Sequence, residues 1–192
     1  HPNSIYIFDD DTVEEVNLAG QMFNNDSVGK KKVDAIAAIV KDFCRYESVF
    51  AMPERYTDDS FTADIMLCGF DNMKARKIFF NNWCKHVDKQ KDKSKCLYID
   101  ARLSFDTLQV FTITGDDEFN KTRYEKEFLF SDEEADETIC SLKQTTFMAC
   151  MIASFIVNNV VNFCANELTP MIKQLPFFIE YDSNLMYLKE SE

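Results

Sequence analysis

Apolar residues in this chain recur in two rhythms, and each predicts a kind of element. Ile5 to Phe8 form an unbroken apolar run that stops at Asp9-Asp10-Asp11, which predicts a strand over residues 4–8 entering a loop. From residue 30 the spacing changes. Val33, Ile36, Ala37, Val40 and Phe43 recur three and four apart, which predicts an amphipathic helix over 30–43 with these side chains on one face. Residues 48–52 read as a second strand, stopped by Pro53, and residues 63–68 as a third. A helix from Met73 to about His86 follows, with Ile78, Phe79, Trp83 and Val87 inside. Residues 96–100 and 105–113 read as two more strands, the latter alternating through Phe105, Thr107, Gln109, Phe111 and Ile113. Residues 115–138 are acidic and lack apolar periodicity, which predicts a mobile loop. A long helix is expected from Ile139, capped by Thr138, and a terminal hairpin over 177–188 turning at Asp182-Ser183-Asn184.

Strands that alternate with helices over the first hundred residues favour an α/β fold, a mainly parallel Rossmann-like sheet with helices on both faces and a carboxyl-terminal β-hairpin. A length of 192 residues favours one domain, 1–192. With 46% hydrophobic residues and 18 Phe, a large core forms; four Gly and four Pro argue against a low-complexity chain. The net charge of −12 disfavours a nucleic-acid partner, which needs a basic face.

The span 139–165 carries one charge, Lys143, and is long enough to cross a bilayer. Ser141, Gln144, Thr145, Thr146, Ser154, Asn158, Asn159 and Asn162 recur in it, which suits a helix buried in protein, so no membrane association is expected. The seven cysteines include no C-x-x-C pair, which argues against a four-thiolate zinc site. Their odd count and apolar surroundings predict buried free thiols in a reducing cytoplasm.

The chemistry concentrates after the first strand. Asp9 and Asp11 are two apart, so along an extended backbone they point the same way while Asp10 points opposite. A carboxylate at a strand's carboxyl end suits ribose hydroxyls, and Asn17, Gln21 and Lys32 just beyond suit phosphates, the order a nucleotide pocket on an α/β sheet needs. The plain alternative is a solvated acidic turn. Asp71 and Asn72 follow the third strand. Asp71 suits Mg²⁺ when phosphates and water supply the other ligands, or the pair opens a helix, and the two roles are compatible. Cys140 lies where the acidic loop meets a helix amino end; the dipole there favours thiolate, while Glu133, Glu134, Asp136 and Glu137 oppose it. A nucleophile and a packing thiol both remain open. Lys85, Lys89, Lys91, Lys93 and Lys95, interleaved with Asp88 and Asp92, read as a solvated loop.

Three spaced motifs resemble the ThiF/MoeB/HesA family, the adenylating half of ubiquitin-activating enzymes. The family pattern D-x-D-x-V-x-x-x-N-L-x-R-Q appears as Asp9-x-Asp11-x-Val13-x-x-x-Asn17-Leu18-x-Gly20-Gln21. V-G-x-x-K appears as Val28-Gly29-x-x-Lys32, and D-N-x-x-x-R as Asp71-Asn72-x-x-x-Arg76. The likeness extends more loosely through Tyr98-Ile99-Asp100-Ala101-Arg102-Leu103 and Gln109-Val110, nearest to the compact zinc-free branch. The resemblance implies ATP-dependent adenylation of the carboxyl terminus of a ubiquitin-like or sulfur-carrier protein by a homodimer. Asp9 and Asp11 with Asn17, Gln21, Lys32 and Asn72 would line the nucleotide site, and Asp71 would hold Mg²⁺. It also implies a crossover loop over 115–138 that leads to Cys140, the position of an acyl-accepting thiol. Two departures follow. Gly20 stands where the family has Arg, which removes a bidentate phosphate contact and favours an alternative, a ThiF-like scaffold that binds a partner without turnover. The glycine-rich loop G-x-G-G-x-G and its strand do not occur in the sequence, so the chain is expected to be a fragment or to take that strand from elsewhere. A different Rossmann enzyme using a dinucleotide leaves Lys32 and Asp71-Asn72 without a job.

Overall fold

The computed structural model describes residues 2–130, 145–168 and 173–191, and the chain divides into two compact units, residues 1–56 and 57–192. In the first unit, β1 (Ile5–Phe8) runs parallel to β2 (Val49–Met52) in the register Ile5↔Val49. Parallel neighbours need a crossover, and α1 (Lys32–Cys44) supplies it. Arg45 ends α1 in the left-handed region (φ 54°), its N–H donating to Lys41 O (2.9 Å). Val33 and Ala35 are buried on α1, whereas Phe43, expected on the inward face, is 84% exposed. The loop that the first strand enters contains two short 3-10 turns, Glu15–Ala19 and Asn25–Ser27.

The second unit holds β3 (Ile65–Cys68), α2 (Met73–Val87), β4 (Leu97–Leu103), β5 (Thr107–Thr114), α3 (Glu118–Glu127), α4 (Thr146–Asn166), β6 (Phe178–Asp182) and β7 (Tyr187–Ser191). Its sheet has the order β3-β4-β5-β6-β7. β3 and β4 are parallel, with α2 between them; the remaining ladders are antiparallel. Only Ser104, Phe105 and Asp106 separate β4 from β5, too few for a parallel crossover. The terminal hairpin turns where expected: Asp182 Oδ1 accepts from the N–H of Asn184 (2.8 Å) and of Leu185 (3.0 Å).

Alternation along β4 and β5 builds two different layers. Leu97, Ile99, Leu108 and Val110 pack with Met148, Ile152 and Phe163 of α4 and with Ile179. Tyr98 and Phe111 meet an aromatic layer of Phe80, Trp83 and Tyr124 from α2 and α3, with ring centroids 4.9–5.4 Å apart along Phe80–Tyr98–Trp83 and Phe80–Tyr124–Phe111. The sheet of this unit therefore carries helices on both faces. α4 is 21 residues long with mean hydropathy 1.7, enough by length and composition to span a membrane. Its fully buried Asn159 donates to Thr112 Oγ1 (2.8 Å), so one of its polar residues serves the sheet.

Two expectations change here. Residues 118–127 of the acidic loop are helical, because the Asp117 carboxylate accepts from Asn120 N–H (2.9 Å) as N-cap and Tyr124 is fully buried. A cap and one buried ring leave little periodicity to see. The cysteines are not uniformly buried: Cys68 and Cys96 are, Cys84 is intermediate, and Cys44, Cys150 and Cys164 are exposed. The described part of α4 begins at Thr146 after an extended Thr145; the expected cap Thr138 lies outside the described residues.

Gly115 opens the turn after β5, where its N–H donates to Cys96 O (2.8 Å). A Cβ there would collide with Lys93 O and lie 2.9 Å from Cys96 Cβ. Gly115→Ala is expected to cost about 1–3 kcal/mol of stability, read as a lower urea midpoint with an unchanged slope.

Candidate functional site

Strand β1 delivers Asp9, Asp10 and Asp11 at its carboxyl end, and Asp9 N–H continues the ladder to Met52 O (3.3 Å). The chain then turns sharply. Asp9 Oδ1 accepts from Asp11 N–H (2.8 Å), which closes a small side-chain-to-backbone ring. Strand alternation therefore stops at Phe8. The three carboxylates gather with one oxygen of each within 4.8 Å of the others, so the expected opposition of Asp10 to its neighbours is not seen. Two cations pair with two of them. Lys32 Nζ donates to Asp11 Oδ2 (2.6 Å), and Arg55 Nε to Asp10 Oδ2 (2.8 Å). The Arg55 guanidinium holds the Asp10 carboxyl below its usual range.

The lysine comes to Asp11 through the backbone. Thr12 and Lys31 form an isolated antiparallel bridge, with Lys32 N–H donating to Asp11 O (3.0 Å) and Val13 N–H to Lys30 O (2.8 Å). Gly29 N–H donates to Val13 O (2.9 Å) with φ at 83°, a backbone state that suits glycine. Val13 and Val33, nearly or fully buried, anchor the two segments. The D-x-D-x-V and V-G-x-x-K motifs are thus one structure, the second folded back on the first. Asn17 sits in the first 3-10 turn, where its Oδ1 accepts from Glu14 N–H (2.8 Å), which leaves the Nδ2 amide as a donor. Gln21 follows half-buried, its N–H donating to Asn17 O (2.9 Å).

The second unit holds the other pair. Asn72 is the N-cap of α2, its Oδ1 accepting from Ala75 N–H (2.8 Å). Its Nδ2 donates to Oδ1 of the exposed Asp71 (3.0 Å). The capping reading holds for Asn72, and Asp71 keeps Oδ2 for a cation. Arg76, one turn on, is buried and donates through Nη1 to Asp100 Oδ1. Asp100 is fully buried and also accepts on Oδ2 from Arg102 Nε (2.7 Å) and Tyr124 OH (2.8 Å). Arg102 reaches Phe128 O (2.9 Å) and lies 4.8 Å from the Phe111 ring centroid. Burial and then the Asp100 charge push the Tyr124 hydroxyl well above its usual range, so it remains a donor. This network fixes the start of α2, and with it Asp71 and Asn72, to β4. In the sequence Arg76 groups with the Asp71 motif, and only the D-x-R of Asp100 and Arg102 within a strand signals this network; nothing in the sequence singles out Tyr124.

Cys140 lies outside the described residues. Among the described thiols, burial pushes Cys68 and Cys84 up to about 12 and Cys96 up to about 11, which removes them as nucleophiles at neutral pH.

A family model described as the ThiF family matches residues 2–192. The chain belongs to the ThiF family. Solved ThiF-fold structures agree. E. coli MccB with MccA-N7isoASN superposes with a TM-score of 0.71 at 18% identity, covering 98% of this chain and 57% of that one. E. coli MccB with ATP gives 0.69 at 17% identity, and PaaA 0.69 at 15%, each covering 98% of this chain and 56% of the other. The chain thus spans a little over half the length of these ThiF-fold relatives. No curated protein matches.

Proposed function

We propose that both units belong to one ThiF adenylation domain that uses ATP to activate the carboxyl terminus of a protein or peptide substrate. One observation carries the reading: in the first unit a strand-end carboxylate pair is wired by a backbone bridge to the first-turn lysine of a helix. Membership in the ThiF family and likeness to MccB solved with ATP and with MccA support it. The residues fit a nucleotide. Asp9 spends one oxygen on Asp11 N–H and keeps Oδ2 for a ribose hydroxyl. Asn17 Nδ2 and the Gln21 amide of the same unit supply neutral donors. Lys32 holds its charge against Asp11 until a phosphate competes for it. In the second unit Asp71, with Oδ2 left by Asn72, would be the residue to hold Mg²⁺, which would supply charge neutralisation.

In the reaction the substrate carboxylate attacks the α-phosphorus. A carboxyl-to-phosphate bond forms, the bond to the bridging oxygen breaks, and pyrophosphate leaves. The protein's contribution is positioning and charge neutralisation, for which Lys32, now paired with Asp11, is the cation at hand. We further propose a ubiquitin-like or sulfur-carrier protein as substrate, a crossover role for the acidic segment 115–138, and Cys140 as acyl acceptor. Three exposed free thiols fit a reducing cytoplasm. Gly20 in the family's arginine position favours the scaffold reading instead. ATP–pyrophosphate exchange with a carrier ending in Gly-Gly decides between them: carrier-dependent exchange supports the enzyme, and binding without exchange supports the scaffold.

The ThiF homodimer reading has a surface in α4. Phe147, Cys150, Ser154, Val157, Val161 and Cys164 are exposed at alternating three- and four-residue spacing, an uncharged seam suited to a second helix. Val157→Glu is expected to convert a dimer to a monomer in sedimentation equilibrium without altering the far-ultraviolet spectrum; an unchanged mass sinks the seam.

A further inference from the structure

Away from the residues assigned to nucleotide chemistry, three side chains from different elements meet in the second unit. Asp64 immediately precedes β3, Cys96 immediately precedes β4, and His86 lies in the last turn of α2. A carboxylate oxygen, a ring nitrogen and the sulfur all lie within 4.8 Å of one another. Regular structure holds them there. Leu97 N–H donates to Asp64 O (2.8 Å), joining the starts of the two parallel strands, and the Trp83 indole N–H donates to the same carbonyl (3.4 Å). Cys96 is fully buried, His86 is largely buried, and Asp64 reaches solvent.

We propose that Asp64, His86 and Cys96 bind a divalent cation of the zinc class. A sulfur, nitrogen and oxygen set is borderline soft and favours Zn²⁺ over Mg²⁺. The imidazole is oriented as a ligand. Its Nδ1 lies 3.2 Å from Thr62 Oγ1, so an Nδ1–H donated to that hydroxyl leaves the lone pair on Nε2. Nε2 faces Asp64 Oδ1 at 2.9 Å and the Gln90 amide nitrogen at 3.1 Å. In that tautomer the Gln90 amide donates to Nε2, and a cation seated against Asp64 Oδ1 takes the place of that donor. The exposed Asp64 provides the entry path and leaves a fourth position for water. A cation there displaces the Cys96 proton and ties the starts of β3 and β4 to the end of α2. Asp71 follows β3 at its other end, so the site braces the fold and does not take part in adenylation. The lack of C-x-x-C pairs argues only against a four-thiolate site, and the zinc-free expectation also follows from the family branch; these mixed donors stand 22 and 10 positions apart. The alternative is a histidine–carboxylate hydrogen bond with Cys96 as mere packing.

The protein, stripped with a chelator, is titrated with Co²⁺ and then with Zn²⁺. The expected result is one Co²⁺ per chain, a thiolate-to-cobalt charge-transfer band, and displacement by Zn²⁺. The band vanishes in Cys96→Ser and persists in Cys84→Ser. Thr62→Val, which frees the ring, weakens binding about 10- to 100-fold. If Cys96→Ser does not fold, Asp64→Asn and His86→Gln carry the test, each lowering affinity by about tenfold or more. A native protein that binds no stoichiometric Co²⁺, a bound spectrum without the thiolate band, or unchanged affinity in both Asp64→Asn and His86→Gln overturns the proposal.

Discussion

Asp100→Ala is expected to lower the unfolding free energy by about 3–5 kcal/mol, because it strands two buried guanidiniums. Asp100 is fully buried, and the Arg76 and Arg102 side chains are 8% and 14% exposed, so water cannot take its place. Tyr124 OH loses its acceptor at the same time. The measurement is equilibrium urea unfolding, with Trp83 fluorescence as the probe of this core. Because the penalty arises from unpaired charge, removing charge from both sides should restore part of it. Asp100→Leu combined with Arg76→Met should be less destabilised than the sum of the two single variants. Strict additivity would show that the contact is a surface-like pair with little mutual dependence.

Lys32→Ala is the second large effect, and it separates chemistry from stability. If Lys32 faces the reacting phosphate, carrier-dependent ATP–pyrophosphate exchange falls by roughly 10²- to 10³-fold in kcat/KM, the usual cost of one electrostatic contact made in the transition state. Stability should hardly move. The partner Asp11 side chain is 63% exposed, and pairs that open to water contribute on the order of 0–1 kcal/mol. A variant that exchanges normally removes Lys32 from the mechanism. A variant that loses both exchange and fold shows that the lysine's role is structural. Asp71→Asn offers the matching test for the cation: a raised Mg²⁺ requirement with an unaltered melting temperature.

Several features were legible because they are local. The apolar run before Asp9, the three-four spacing after residue 30 and the strand ahead of Gly69 each encode an element within a dozen residues, and β1, α1, β2, β3 and α2 follow them closely. The spaced motifs likewise carried the family. What failed to show depends on partners distant in sequence. Asp9 and Asp11 look like strand neighbours until a hydrogen bond turns the chain. α3 hides in an acidic stretch because one cap and one buried tyrosine hold it. The antiparallel half of the sheet follows from a three-residue connection, which alternation alone does not reveal.

The amino-acid order by itself determined the α/β class, the early strand–helix succession and the ThiF motifs, since all three are written in short-range periodicity and spacing. Tertiary structure alone decided that V-G-x-x-K folds back to bring Lys32 onto Asp11, that Arg76 belongs to a buried carboxylate 24 positions away, and that Asp64, His86 and Cys96 converge. The reason is common to all of them. Burial and charge pairing are set by which surfaces meet, and a chain read along its length does not show which distant side chains will share a low-dielectric interior.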